Sequence, residues 1–161
     1  MRRILELAAV APLSLLWAIT AYALSGSHPL PARIATHFDL SGNPNGWAEP
    51  KVLWLLPAVG TLLYALMTVV SRYSRAFNYR VRVTPTNRAA LQELALRMMA
   101  WLKAEVISLF AWIQHSTIEA ARGSRGELSP VSILLAIVVV FGTVGWHILA
   151  MRRAAAADLL R

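Results

Sequence analysis

The 161 residues make one ordinary domain in length, but 57% are hydrophobic and only 15% charged, against about 25% charged in a soluble domain. So little charge excludes an ordinary soluble chain and points to a membrane protein. The 16 Lys and Arg against 8 Asp and Glu, net +8, lie beside apolar runs, where they read as bilayer orientation signals and not as a nucleic-acid footprint.

In chain order, the first element is an apolar run from Leu7 to Leu24 with no charged residue, preceded by Arg2, Arg3 and Glu6. A bilayer core needs about 20 such residues as helix, so a span is expected near 4–25. Ala21-Tyr22-Ala23 has the look of a leader cleavage site, but the apolar run is long for a leader, and the helix is expected to stay.

The loop at 26–51 follows. His28-Pro29-Leu30-Pro31 is stiff and extended, because proline fixes its own backbone and biases its neighbour. From Arg33 to Leu40 the residues alternate: Arg33, Ala35, His37 and Asp39 point one way, and Ile34, Thr36, Phe38 and Leu40 the other. That period marks a half-buried strand. Asn43-Pro44-Asn45-Gly46 then reads as a turn. The loop is expected to form a short extended, turn-rich cap over the helix ends.

A second uncharged run, Val52 to Ser71, predicts a span near 52–71. The basic loop at 72–90 holds Arg72, Arg75, Arg80, Arg82 and Arg88 with no acid through Arg88; its weight of charge places it on the cytoplasmic side. Thr84-Pro85 reads as a helix start. The helix after it, with a span near 94–118, is the least apolar, and Glu93, Arg97, Glu105, Ser108, His115 and Glu119 fall on one side of it. Either it lies in the interface or it crosses with that polar stripe facing the other helices; crossing fits the alternation of basic residues. Lys103, nearly opposite, is expected to snorkel. The last span, near 129–151, holds one titratable residue, His147, and ends at Arg152-Arg153.

The expected fold is therefore all-α integral membrane: a single domain, 1–161, forming a bundle of four transmembrane helices with both termini cytoplasmic and an extracytoplasmic cap between the first two helices. The stretch "LPARIATHFDLSGNPNGW" resembles the hallmark of a bacterial membrane family, domain of unknown function 1648, at Leu30, Pro31, Ile34, His37, Phe38, Gly42, Trp47 and Lys51. Ala35 stands where that family usually has proline, and Asn45 where it usually has aspartate. "NYRVRVTPTN" before a long helix is similar to its single-domain members. The same domain forms the first part of the immunity and signalling protein for the sporulation-delay toxin. The resemblance implies a small multi-span protein of the inner (plasma) membrane and no assigned reaction.

Two constellations carry candidate chemistry. His37 and Asp39, with His28 and His115, offer imidazole and carboxylate ligands of the kind zinc takes; the competing reading is that His37 merely ties the turn. Glu105 and His147 form an intramembrane polar pair, either a proton-coupled or gating device or a structural tie between helices. With no cysteine, glycine-rich phosphate loop, Gly-x-Ser-x-Gly or His-Glu-x-x-His, no enzyme signature is present and no catalytic residue is assigned. The expected role is non-catalytic: sensing, or immunity to, an extracellular peptide or envelope stress. The alternatives are a small transporter using Glu105 and His147, and a metal-dependent enzyme. The expected partners are the lipid bilayer and a peptide or second membrane protein, with no nucleic acid.

Because the chain has no cysteine, single substitutions test the orientation. A membrane-impermeant maleimide should label Ser41→Cys in intact cells and Ser74→Cys only after permeabilisation; the opposite pattern would invert the assignment.

Overall fold

The computed structural model describes residues 2–26, 29–39, 43–73, 77–79, 81–123 and 130–159. In chain order these form α1 (Arg2–Leu24), β1 (Ile34–Phe38), β2 (Pro44–Ala48), a 3-10 turn (Pro50–Trp54), α2 (Leu55–Arg72), α3 (Arg88–Ala121) and α4 (Pro130–Leu159). The helical expectation near 129–151 thus extends to Leu159, and the one near 94–118 starts earlier. Thr84-Pro85 is not the helix start. It belongs to a turn in which the Thr84 amide donates to Asn87 Oδ1 at 2.9 Å, and Asn87 is the residue that precedes α3.

Among the described residues, three helical stretches are long and apolar enough to cross a membrane: Leu7–Leu24, Pro50–Arg72 and Val131–Asp158. Of the four transmembrane helices expected, α3, already the least apolar in sequence, does not reach spanning hydropathy among the described residues, because Glu93, Arg97, Lys103, Glu105 and Glu119 dilute it. Yet α3 is the helix around which the others gather. It packs against α1, α2 and α4, whereas α4 leans on α3 and has little or no contact with α1 and α2 among the described residues. Half of its buried positions are small, Ala95, Ala100, Ala104, Ala111 and Ser116, which lets neighbouring backbones come close. Large apolar side chains of α1, α2 and α4 point away from the bundle, such as Leu15, Leu62, Leu66, Leu134 and Phe141. In water such a surface would drive aggregation; against lipid it is the favourable arrangement.

The expected direction of the α3 stripe is reversed. Ser108 and His115 are exposed and the Glu93–Arg97 ion pair is largely open, while the face turned to the bundle carries Ile107, Gln114, Ile118 and Lys103. The stripe therefore lies along an open side of α3, in part in the gap between α1 and α4.

At the hairpin end, β1 and β2 pair antiparallel, with Ile34 opposite Ala48, Ala35 opposite Trp47, His37 opposite Gly46 and Phe38 opposite Pro44. The cap is thus a β-hairpin. Asn43-Pro44-Asn45-Gly46 is not its turn. The hairpin closes between Asp39 and Asn43, where the Asp39 amide donates to the Asn43 carbonyl at 2.9 Å, so Pro44 begins β2. A proline at the first residue of an edge strand costs no ladder bond. Gly46 is needed for the close approach of the strands, because a Cβ there would sit 2.9 Å from His37 Cβ.

The hairpin is rooted by Ile34, which joins Ala23 of α1, Leu53 of the 3-10 turn and Ile118 of α3 in one buried cluster. Beside it lies a polar knot. Gln114 of α3 donates to Thr20 Oγ1 of α1 at 2.6 Å and to the Leu53 carbonyl at 2.8 Å, while Thr20 donates to the Leu16 carbonyl at 2.7 Å. One amide thus ties three elements where no water reaches, since Gln114 is 2% exposed. Gln114→Leu removes the donor and leaves a buried carbonyl unpaired, at a cost of about 1–3 kcal/mol. Thermal unfolding in detergent micelles should show a lowered midpoint for this variant, and an unchanged midpoint would mean that the knot does not hold the hairpin end together.

Candidate functional site

The residues singled out in the cap separate into root and surface. Ile34 is buried, Leu30 and Phe38 are half-buried, and Pro31, His37, Asn45, Trp47 and Lys51 are exposed. His28 and Gly42 lie outside the described residues. His37 and Asp39 are both exposed, but they do not sit at successive regular positions of one strand face. The strand register is irregular on both sides of His37, which breaks the simple alternation expected for Arg33 to Leu40; Ala35 is buried along with Ile34. The Asp39 carboxylate is engaged locally, accepting from the Asn43 amide at 2.8 Å through Oδ1 and from Asn43 Nδ2 at 3.4 Å through Oδ2. This is an aspartate closing a loop with its own backbone, a common use of the residue. His115 is exposed on α3. Among the described residues, no group of three His, Asp or Glu side chains forms a metal-binding cluster.

Glu105 and His147 are brought together, but through a third residue. Thr143 of α4 donates its hydroxyl to Glu105 Oε1 at 2.6 Å, and its carbonyl bonds His147 Nδ1 at 2.8 Å. A carbonyl only accepts, so Nδ1 carries a proton, and in the neutral ring Nε2 is the acceptor. The second carboxyl oxygen of Glu105, Oε2, is buried with no hydrogen-bond partner among the described residues. An orphaned acceptor of this kind costs about 1–3 kcal/mol. Glu105, Thr143 and His147 line a cleft of about 520 Å³ between α3 and α4, together with Arg97, Trp101 and Trp146. A second cleft, about 480 Å³, meets the first at Trp101 and Glu105 and runs along α3 past Ser108 to Trp112.

Lys103 corrects another expectation. It does not snorkel: it is 1% exposed, its Nζ donates to Thr68 Oγ1 of α2 at 3.1 Å, and it lies 4.6 Å from the centre of the Tyr64 ring. The ammonium is therefore held by a hydroxyl and a ring face on the side of α3 away from Glu105. A buried cation held this way ties α3 to α2 in a definite register.

At the arginine end, Phe77, Tyr79, Val81 and Val83 alternate with polar residues and pack on Leu91, Ala95 and Met151. Thr84 and Thr86 both donate to the Asp158 carboxylate, at 2.5 Å and 2.6 Å, which pins the basic loop to the end of α4. Burial pushes the Tyr79 phenol above its ordinary range, and the Arg88 charge draws it partly back. Sequence reasoning passed over Thr20, Gln114, Thr143 and Asp158. For Gln114 and Thr143 a signal existed: a polar side chain amid apolar helix needs a partner even when it carries no charge.

Residues 12–61 match the model of a family described as Domain of unknown function (DUF1648). The matched segment runs from Pro12 of α1 through the hairpin and the 3-10 turn into α2, and so contains every cap residue named above, Leu30 to Lys51. Neither a curated protein nor a solved structure matches the chain. The chain is thus largely helical, with helical stretches apolar enough to cross a membrane, and residues 12–61 match this domain.

Asp39→Ala should loosen the hairpin without unfolding the bundle, because it removes two exposed bonds worth about 1 kcal/mol each. Limited proteolysis is expected to cut between residues 39 and 43 several-fold faster in the variant, and equal rates would mean that the carboxylate does not close the loop.

Proposed function

We propose that this is a four-pass, non-catalytic protein of the bacterial inner (plasma) membrane, with both termini cytoplasmic, which senses or neutralises an extracellular peptide or envelope stress through its hairpin. The carrying observation is the split character of the hairpin. Ile34 is 1% exposed and fastened into the helix ends, while Trp47 on the partner strand is 53% exposed.

The strands meet their own polar needs through Asp39, Asn43 and the Arg33 bond to the Trp47 carbonyl at 3.4 Å. The outer faces of His37, Asn45 and Trp47 are left over from folding. Among the described residues the two-stranded sheet also keeps an outer edge on each strand, and an extended peptide can add to such an edge by main-chain hydrogen bonds. An exposed indole beside it supplies the apolar anchor typical of peptide recognition.

The crossing of α3 belongs to the same reading. Its Lys103 and Gln114 turn inward, and α1, α2 and α4 present large apolar side chains outward around it, except along its open polar side. The arginine-rich loop anchored by Asp158 then lies on the cytoplasmic side, as the excess of basic residues requires.

A deletion strain should be more sensitive than its parent to envelope-active peptides, with resistance restored by the intact gene but not by Trp47→Ala produced at the same level. Resistance unchanged by deletion would sink the immunity reading. Full complementation by Trp47→Ala would move the recognition surface away from the hairpin.

A further inference from the structure

We propose that the paired clefts along α3 form a binding site for a lipophilic ammonium, an organic cation with a nitrogen head that bears hydrogen and an apolar body.

The head group follows from three features on the page. Glu105 Oε2 is a buried acceptor with no donor among the described residues, while its twin Oε1 is already served by Thr143. His147, with Nδ1 engaged by the Thr143 carbonyl, is left with Nε2 as an acceptor in its neutral form. Trp101 and Trp146 stand in the same cleft, and indole faces attract organic cations. A carboxylate, an imidazole acceptor and two indoles together favour an N–H-bearing cation over an anion or a neutral amide.

Arg97, in the same cleft, is the group that would oppose this. Its guanidinium is ion-paired with Glu93, on the turn before it, and it lies two turns of helix from Glu105, a rise of about 12 Å. Its charge is thus met by Glu93 at the arginine end of the cleft and does not cancel that of Glu105.

The apolar body follows from the second cleft. It continues from Glu105 along Leu109 and Trp112 against Val139 and Val140 of α4. The rise from Glu105 to Trp112 is about 10 Å, the length of a chain of about eight carbons. The gap is reached from the side of the bundle, because α4 touches little but α3 among the described residues. A ligand dissolved in the bilayer could therefore enter laterally.

The probe is n-octylammonium, with n-octanol and octanoate as neutral and anionic twins, titrated calorimetrically into the full chain in phosphatidylcholine nanodiscs against empty nanodiscs. The expected result is saturable octylammonium binding to the loaded discs alone, with Glu105→Gln weakening it by about tenfold or more. Trp146→Leu changes a side chain that is 66% exposed, so it leaves the fold intact and should weaken binding several-fold; it keeps the test open should Glu105→Gln fail to fold. Octanol binding as tightly as the amine, octanoate binding preferentially, heats no greater than those of empty discs, or affinity unmoved by the substitutions would each overturn the proposal.

Discussion

The constraint on which the rest of the structure depends is the polarity of α3. A helix carrying Lys103 and Glu105 near its middle and Gln114 two turns from its hairpin end would not stand alone in hydrocarbon, where each unsatisfied polar group costs several kcal/mol. Its neighbours supply the remedy. Thr68 and Tyr64 of α2 take the ammonium, Thr20 of α1 and the Leu53 carbonyl take the amide, and Thr143 of α4 takes one carboxyl oxygen. Each apolar helix offers one hydroxyl to α3 at a different height. The polar bonds thereby fix register, and the alanines of α3 let the packing close around them. In lipid, where burial of apolar surface between helices gains little, such bonds and close packing are what hold helices together.

The two ends of the bundle are then closed by different means. At the hairpin end, apolar residues of the strand and the 3-10 turn lock onto α1 and α3 around Ile34 and Leu53. At the arginine end, an extended segment lays Phe77, Tyr79 and Val81 on α3 and α4, and two threonines grip Asp158. The segment at the arginine end alternates half-buried Phe77, Tyr79, Val81 and Val83 with exposed Asn78 and Arg82, whereas the irregular register of β1 buries Ala35 along with Ile34. The helix α3 lies under both, its Ile118 against the hairpin and its Leu91 and Ala95 against the basic loop. The weak flank of the bundle is the α1–α4 side, where the charged stripe of α3 is uncovered and Glu105 keeps an oxygen unpaired.

Much of the cap motif was legible because it obeys local rules. Ile34 inward and a half-buried strand follow from alternation, and the family resemblance rests on residues that the matched segment 12–61 contains. The hairpin turn was misplaced because Asn-Pro-Asn-Gly is a strong turn signal in isolation, while Asp39 and Asn43 are already bonded across the hairpin before Pro44. Only the pairing of Phe38 with Pro44 decides that. Likewise, the helical wheel of α3 correctly grouped Glu93, Arg97, Glu105, Ser108 and His115 on one side. It could not say whether that side faced neighbours, because direction depends on which helices pack and where.

What the sequence by itself determined is the class: three apolar stretches of spanning length, a polar interruption that forms a cap, and a basic loop, each set by composition and period over a short window. What only the tertiary structure decided is the partnership of the polar groups. Lys103 with Thr68, Gln114 with Thr20 and Glu105 with Thr143 join residues that are 35, 94 and 38 positions apart. Nothing local to either member announces such a bond, since a threonine in an apolar helix can equally satisfy itself on its own backbone, as Thr20 also does. Packing chose among those options, because only the assembled bundle brings a donor to each buried acceptor and leaves Glu105 Oε2 with none among the described residues.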